Sequence, residues 1–319
     1  MIEKLVLAAV IGAMSLSIVA CGSNSEKINE PAQETTATRE AVDSNGTKVT
    51  VPVNPERVVD LSGSSDILSL LGFNIVGTCN SDGYDYTKLP TYLEDTLKDA
   101  TILGYSMVDT VDVEAILGLN PDLIIISKVQ EAAYEQLSQI APTLVINLEM
   151  LDMKTDFRAV AKIMDREEEA KAWLDSYDAK TAEVSKLVKE TLGEDATYLS
   201  FLASGGSNFI NTNATFGNLI YDDLGLKRPE NLPVQEDMTL PVVTNEGLAE
   251  IDPDYMFIIA TDDDKAALEK DAIFKNLRAV KEGHVVISPA SPYFNQGYSP
   301  IGRMAFLDEL ISLADEFNK

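Results

Sequence analysis

Asp-Arg-Glu-Glu-Glu-Ala-Lys-Ala-Trp-Leu-Asp-Ser-Tyr (165–177), running on to Lys-Leu-Val-Lys-Glu-Thr-Leu (186–192), is the stretch that decides the fold. Ala170, Trp173, Tyr177, Thr181, Val184, Val188 and Thr191 recur every three or four residues, which is one face of an α-helix. Asp165 and Glu168 have the spacing of a capping box, and the carboxylates of Glu167 to Glu169 suit the positive end of the helix dipole. Lys186 and Lys189 lie near the other end, and Gly193 is a natural stop. No Gly or Pro occurs between Thr143 and Leu192, so a single helix from Asp165 to Leu192, about 40 Å long, is expected. Such a helix either packs along one domain or joins two. What flanks it favours a rigid strut between two similar lobes.

Upstream, a strand over Val58 to Leu61 leads through the small-residue turn Ser62-Gly63-Ser64-Ser65 into a helix over Asp66 to Leu71, closed by Gly72. That order begins an α/β unit with a parallel sheet. A helix over 112–118 then leads into the apolar strand Leu123-Ile124-Ile125-Ile126, followed by a helix over 130–139 and a strand over Thr143 to Asn147. Past Gly193 the pattern restarts, with a strand over Thr197 to Phe201, a loop over Ala203 to Ser207 and a helix over Phe216 to Leu224. The segment Asp112 to Ile126 also overlays Thr244 to Ile258. Each has a Glu, Glu114 or Glu246, seven residues before a Pro-Asp that opens an apolar strand. The expected architecture is α/β: two Rossmann-like lobes with parallel central sheets joined by one long rigid helix. The N-terminal lobe is expected over 49–152, a linking helical segment over 153–193 and the C-terminal lobe over 194–319.

Parallel sheets bind ligands just outside the carboxyl ends of their strands, so two such lobes enclose a cleft. The loops and segments expected around it supply Ser64, Tyr84, Tyr86, Tyr105, Met107, Lys128, Asn208, Phe209, Met238, Tyr293, Phe294 and Tyr298 as candidate ligand-binding residues. Most are aromatic, apolar or neutral. Lys128 is the one basic residue that falls clearly on a cleft loop.

The termini and the composition set the setting. The uncharged apolar run from Leu5 to Ala20 is short for a membrane-spanning helix and follows Lys4, as an export signal does. Residues 1–20 are therefore expected to be a signal peptide. Residues 21–48, rich in Ser, Asn, Glu, Thr and Ala, are expected to be a flexible tether. With 52 acidic and 25 basic residues the net charge is -27, which argues against nucleic acid and against electrostatic adsorption to anionic lipid. Two cysteines are present, Cys21 and Cys79, and Cys79 reads as a small core residue.

The end of the apolar run, Leu16-Ser17-Ile18-Val19-Ala20-Cys21-Gly22, resembles the lipobox of bacterial lipoproteins, in which the Cys becomes the lipidated first residue. Further motifs carry a wider resemblance: Val51-Pro52 with Pro55-Glu56-Arg57-Val58-Val59, Glu114 with Asn120-Pro121-Asp122, Gly217 with Tyr221-Asp222-Asp223-Leu224-Gly225, Glu246 with Pro253-Asp254, and Glu282-Gly283-His284-Val285. In this order, over roughly residues 49 to 315, they resemble the substrate-binding lipoproteins of ABC importers for ferric siderophores, haem and cobalamin. The resemblance implies a rigid clam anchored by Cys21 to the extracytoplasmic face of the cell membrane. It also implies that Glu114 and Glu246, one on the rim of each lobe, dock onto the permease dimer that works with its ATPase.

The chemistry that is missing narrows the function. The single histidine, His284, is expected in an exposed turn, and zinc or manganese would need several converging His and carboxylate ligands. No Gly-x-Ser-x-Gly nucleophile elbow or Gly-Lys-Ser phosphate loop occurs, so no enzyme is expected and no cofactor or resident metal is assigned. Where the hydroxamate branch of the family carries Trp and Arg, this chain has Asn211 to Phe216. Where the catecholate branch carries Arg and His, it has Met238-Thr239. A triply charged ferric catecholate would cost several kcal/mol to desolvate without matching Arg or Lys. The expected ligand is a neutral or weakly charged ferric siderophore. A corrinoid or haem, for which Met107 is a potential axial ligand, is the alternative, and a tethered sensor without transport is a third reading.

Overall fold

The structure is a computed structural model and describes residues 37–318. It opens with an antiparallel hairpin, β1 (Thr38–Val42) and β2 (Lys48–Pro52). The Asp43 carboxylate closes its turn by accepting from the backbone N–H of Asn45 and Thr47, and the Ser44 amide reaches the Val145 carbonyl at 2.9 Å. Residues 37–48 are thus folded onto the N-terminal lobe, which corrects the expected tether. The polar turn Asp43-Ser44-Asn45-Gly46 hides a hairpin whose strands are too short for a clear alternation. The remainder of the tether, the signal peptide and Cys21 lie outside the described residues.

The first sheet holds β3 (Val58–Asp60), β4 (Ile75–Thr78), β5 (Thr101–Ile102), β6 (Leu123–Ile126) and β7 (Thr143–Val145), all parallel, in the order β5-β4-β3-β6-β7. The second holds β8 (Tyr198–Ser204), β9 (Ser207–Ile210), β10 (Val242–Val243), β11 (Tyr255–Ala260) and β12 (Val285–Pro289), in the order β10-β9-β8-β11-β12. Only β8, β11 and β12 are parallel there. The expected loop at 203–207 is a two-residue hairpin turn, because Gly205 and Gly206 both take positive φ, the conformation a tight right-twisted hairpin requires.

The period of two along each central strand sorts its side chains between two cores. Tyr255, Phe257 and Ile259 enter a large cluster shared by both lobes and the linking helices, whereas Met256, Ile258 and Ala260 enter a cluster private to the C-terminal lobe. On β6, Ile125 faces the shared core, and Ile124 and Ile126 face the N-terminal lobe's own cluster. The lobes are separate sheets on one continuous hydrophobic core.

The linking segment is two helices, Met153–Met164 and the strut Glu167–Leu192. Asp165 does not start the strut. It ends the preceding helix in the left-handed conformation (φ 59°, ψ 51°), which Asp tolerates better than most residues. Arg166 stands at the strut's N-cap without a side-chain cap, so the expected capping box does not form. The buried face is Ala170, Leu174, Tyr177, Thr181, Val184 and Val188, close to the predicted stripe. Trp173 is half-buried beside it, stacked between Phe157 (4.7 Å) and Tyr177 (5.3 Å). The strut packs along the C-terminal helix Pro300–Phe317 and is pinned by a buried ionic network. The Asp223 carboxylate accepts from Tyr177 Oη at 2.7 Å and pairs with Arg303 at 2.9 Å and Lys154 at 2.8 Å.

The duplication seen in the sequence is structural. Asp112 and Thr244 each cap a short helix, Val113–Gly118 and Asn245–Ile251, by accepting from the N–H three residues on. Asn120 and Asp252 then take matching left-handed conformations (φ 46° and 43°). The carboxylates of Asp122 and Asp254 each pin the start of a neighbouring strand, through the N–H groups of Glu56 and Arg57 in one lobe and of Thr197 in the other. Glu114 and Glu246 occupy the same second position of the two helices, and both are exposed.

Candidate functional site

The loops that leave the carboxyl ends of the strands meet across the lobes. Tyr84, after β4, lays its ring edge-on against Phe294 (5.5 Å, 87°), and its hydroxyl lies 3.0 Å from that of Ser204 at the end of β8. Tyr86 stacks on Tyr105 (4.8 Å, 12°), and the Tyr105 hydroxyl accepts from the Asn295 side-chain amide at 3.2 Å. The Ser291 hydroxyl donates to the Asp82 carboxylate. The approach is close enough that a Cβ on Gly83 would come 2.6 Å from the Phe294 ring. Behind this aromatic mouth lies a recess of about 70 Å³, reaching to the segment 148–156 and the C-terminal helix.

Tyr105, Met107 and Tyr298 line the recess, and Tyr84, Tyr86 and Phe294 form its mouth, so the structure gathers six of the predicted residues. Others stand apart. Ser64 is fully buried with its hydroxyl 2.7 Å from that of Ser62, in a cluster around Asp60, and has no surface to offer a ligand. Asn208 lies in β9 and spends its amide on the Val243 carbonyl and the Asn245 side chain, beside the second rim helix. Phe209 and Tyr293 pack against the shared core. Met238 sits half-exposed on the loop before β10, away from the recess, and Lys128 is exposed where β6 ends. His284 is not an exposed turn residue. It is half-buried against the rings of Tyr255 (4.4 Å) and Phe317 (5.9 Å), at the amino end of β12 and so opposite the cleft.

Four residues of the recess and its rim were not singled out from sequence: Asp66, Ser81, Asn295 and Arg303. Asp66 reads as an ordinary helix-start carboxylate, yet it is 3% exposed. Burial pushes its pKa up to about 6, against a hydrogen bond from Ser299 that favours the charged form. Burial likewise raises the Tyr105 phenol and pushes that of Tyr298 up to about 12, so these two phenols are neutral donors and acceptors. Among the described residues no group of three His, Cys, Asp or Glu side chains is placed to hold a metal ion. Nor is any helix long and apolar enough to cross a membrane.

Comparison with known proteins agrees with this geometry. The family model for the periplasmic binding protein matches residues 58–292. The petrobactin-binding protein YclQ of Bacillus subtilis is 30% identical over 92% of this chain and 94% of its own length. The iron(3+)-hydroxamate-binding protein FhuD of the same organism is 29% identical over 93% and 94%. The solved structure of FhuD2 from Staphylococcus aureus superposes with a TM-score of 0.74 at 24% identity, covering 89% of this chain and all of that one, and so speaks for the fold alone. By their names, YclQ binds petrobactin and FhuD an iron(3+)-hydroxamate. The chain belongs to the periplasmic binding protein family, in the class whose two lobes are joined by a long helix, and is a substrate-binding protein rather than an enzyme.

Proposed function

We propose that the protein is the extracytoplasmic receptor of an ABC importer, anchored to the cell membrane through Cys21, and that it captures a ferric siderophore in the interlobe cleft. The observation that carries this reading is the aromatic mouth at the carboxyl ends of both sheets, flanked by one exposed glutamate at the same helix position in each lobe. Aromatic faces and neutral phenols suit a bulky chelate of low charge. A chelate of several hundred Å³ exceeds the recess. It therefore seats in the mouth, displacing Tyr84 and Tyr86 from Ser204 and Tyr105, with part of its periphery directed inward. Haem or a corrinoid is the second reading, supported by Met107, which is 49% exposed at the edge of the recess. It is weakened by the position of His284 opposite the cleft.

Mass spectrometry and the absorbance spectrum of ligand retained by natively purified protein separate these readings. A broad visible band marks a ferric siderophore and a sharp band near the violet marks haem. The permease role is tested with Glu114→Ala plus Glu246→Ala. Stranding the opposite charges at a docking interface typically costs 2 to 5 kcal/mol, so uptake in cells expressing the cognate permease is expected to fail. Ligand affinity is expected to stay within about threefold of the parent, under about 1 kcal/mol. Lost affinity would put the glutamates in the binding site, and intact uptake would remove them from docking.

A further inference from the structure

The recess behind the aromatic mouth is acidic at its base in a way an apolar chelate does not need. Asp66 and Asp156 both line it, 3% and 6% exposed. Asp156 is satisfied, since its two oxygens accept from the amides of Glu149 (2.8 Å) and Met150 (2.9 Å). Asp66 is not comparably held. Its carboxylate accepts the N–H of the next residue, Ile67, at 2.8 Å and a hydrogen bond from Ser299. The one cation on the recess wall, Arg303, is committed elsewhere. Its guanidinium donates to Asp223, Asn218, and the carbonyls of Gly297 and Thr215. A second observation points the same way. Ser81 lines the recess, is 1% exposed, and its hydroxyl has no hydrogen-bond partner among the described residues. Buried hydroxyls without partners are rare. Ser81 belongs to the same recess as a buried carboxylate that makes no ion pair among the described residues.

We infer that the recess is a subsite for a protonated primary amine carried on an arm of the iron chelate, with Asp66 as its counter-ion and Ser81 as a second acceptor. An ammonium group donates three hydrogen bonds and accepts none, which matches a carboxylate oxygen and a hydroxyl oxygen in one small polar pocket. A volume of about 70 Å³ holds such a head with one or two methylenes and excludes the chelate core. Met107 and Tyr298 supply the apolar wall for those methylenes. The inference rests on the siderophore-receptor reading and sharpens it from a neutral to a singly cationic chelate, which the net charge of -27 also favours.

The test is a pair of probes that differ only in the amine: a linear ferric tris-hydroxamate ending in a free primary amine, and the same chelate N-acetylated. Each is titrated against the full chain in detergent at pH 7.5, with tyrosine and tryptophan fluorescence as the readout. The amine-bearing chelate is expected to bind at least tenfold tighter. Asp66→Asn is expected to abolish that preference while leaving the acetylated chelate within about threefold, and Ser81→Ala to reduce it by about threefold. Equal affinity for both chelates in the parent, or an equal loss of both in Asp66→Asn, overturns the subsite. If neither chelate binds, thermal protection by 1,5-diaminopentane separates the two readings. Protection that Asp66→Asn removes keeps the amine pocket and overturns the siderophore receptor. No protection overturns both.

Discussion

Replacing Asp66 by Asn removes a charge that the fold holds at a cost, and the cost has a sign and a pH window. In the folded chain burial lifts the Asp66 pKa from its ordinary 3.8 to about 6. The surrounding groups come from several elements. Asp60 on β3 adds repulsion, and Ser299, the cap of the C-terminal helix, donates to the carboxylate. Asp156 and Arg303 line the same recess, each already bonded to other groups. Below about pH 4 both the folded and unfolded chains hold the proton, and the group contributes nothing. Between about pH 4 and 6 the folded chain keeps a proton that the unfolded chain has lost, so stability falls as pH rises. Above that window the full penalty remains. Two pK units at about 1.4 kcal/mol each amount to about 3 kcal/mol. Asp66→Asn is nearly isosteric and never charged, so it is expected to match the parent at pH 4 and to exceed its stability by about 2 to 3 kcal/mol at pH 7.5. In thermal melts that is roughly 5 to 10 °C for a domain of this size. Urea unfolding of both proteins at the two pH values measures it. The quantity compared is variant minus parent, because burial also raises Asp60 and Asp156, whose titrations cancel in the difference. A stability difference that does not change between pH 4 and 7.5 would refute the reasoning, since it would mean Asp66 carries no buried charge.

Cys21→Ala is expected to release the protein from the membrane fraction with an unchanged melting temperature, because the anchor precedes the folded residues; retention in the membrane would end the lipoprotein reading. Ala182→Pro, at an exposed position in the middle of the strut, is expected to cost about 3 kcal/mol or more and to enlarge the radius of gyration in solution scattering. Asp223→Ala leaves Arg303 without its carboxylate at 1% side-chain exposure, and a loss of about 3 to 5 kcal/mol in urea unfolding is expected. A loss below about 1 kcal/mol would show that the network pinning Tyr177 to the C-terminal lobe contributes little.

What could be read from the residues followed their periodicity. The strut stripe, the buried β6 run and the Glu-to-Pro-Asp repeat are each set by local spacing, and each stands in the structure at the expected place. The misreadings share a different cause. Asp165 looked like a cap because Asp-x-x-Glu is a capping pattern, but the same side chain also tolerates the left-handed turn that ends the helix before it. Asn208 looked like a loop residue because Gly205-Gly206 marks a break, and only the antiparallel pairing of β9 with β8 shows that the break is a hairpin turn. The half-site at Asp66 was illegible for a stronger reason. Its burial comes from Ser299 and the segment 148–156, which lie 82 residues or more away in the chain. No pattern within a helix start reports that.

The shared core also constrains how a ligand enters. In a binding protein whose lobes keep private cores, closing and opening are hinge motions that leave the packing of each lobe intact. Here Phe157, Tyr177, Tyr198, Phe257 and Leu310 belong to one cluster that runs from the linking helices through the C-terminal lobe, and it continues into Val58, Ile67 and Ile125 of the N-terminal lobe. A wide hinge motion would have to expose part of that cluster, at about 25 cal/mol for each Å² uncovered, so 200 Å² already costs about 5 kcal/mol. The contacts that bar the mouth are cheaper. Tyr84 is 43% and Tyr86 47% exposed; Tyr84 reaches across the mouth to the Phe294 ring and the Ser204 hydroxyl, whereas Tyr86 stacks on Tyr105 of its own lobe. A hydrogen bond at such an exposed site contributes about 1 kcal/mol and a ring pair a similar amount. Under the proposed receptor reading, entry by rotating these two tyrosines therefore costs less than entry by separating the lobes, with the aromatic mouth the moving part and the strut the fixed one.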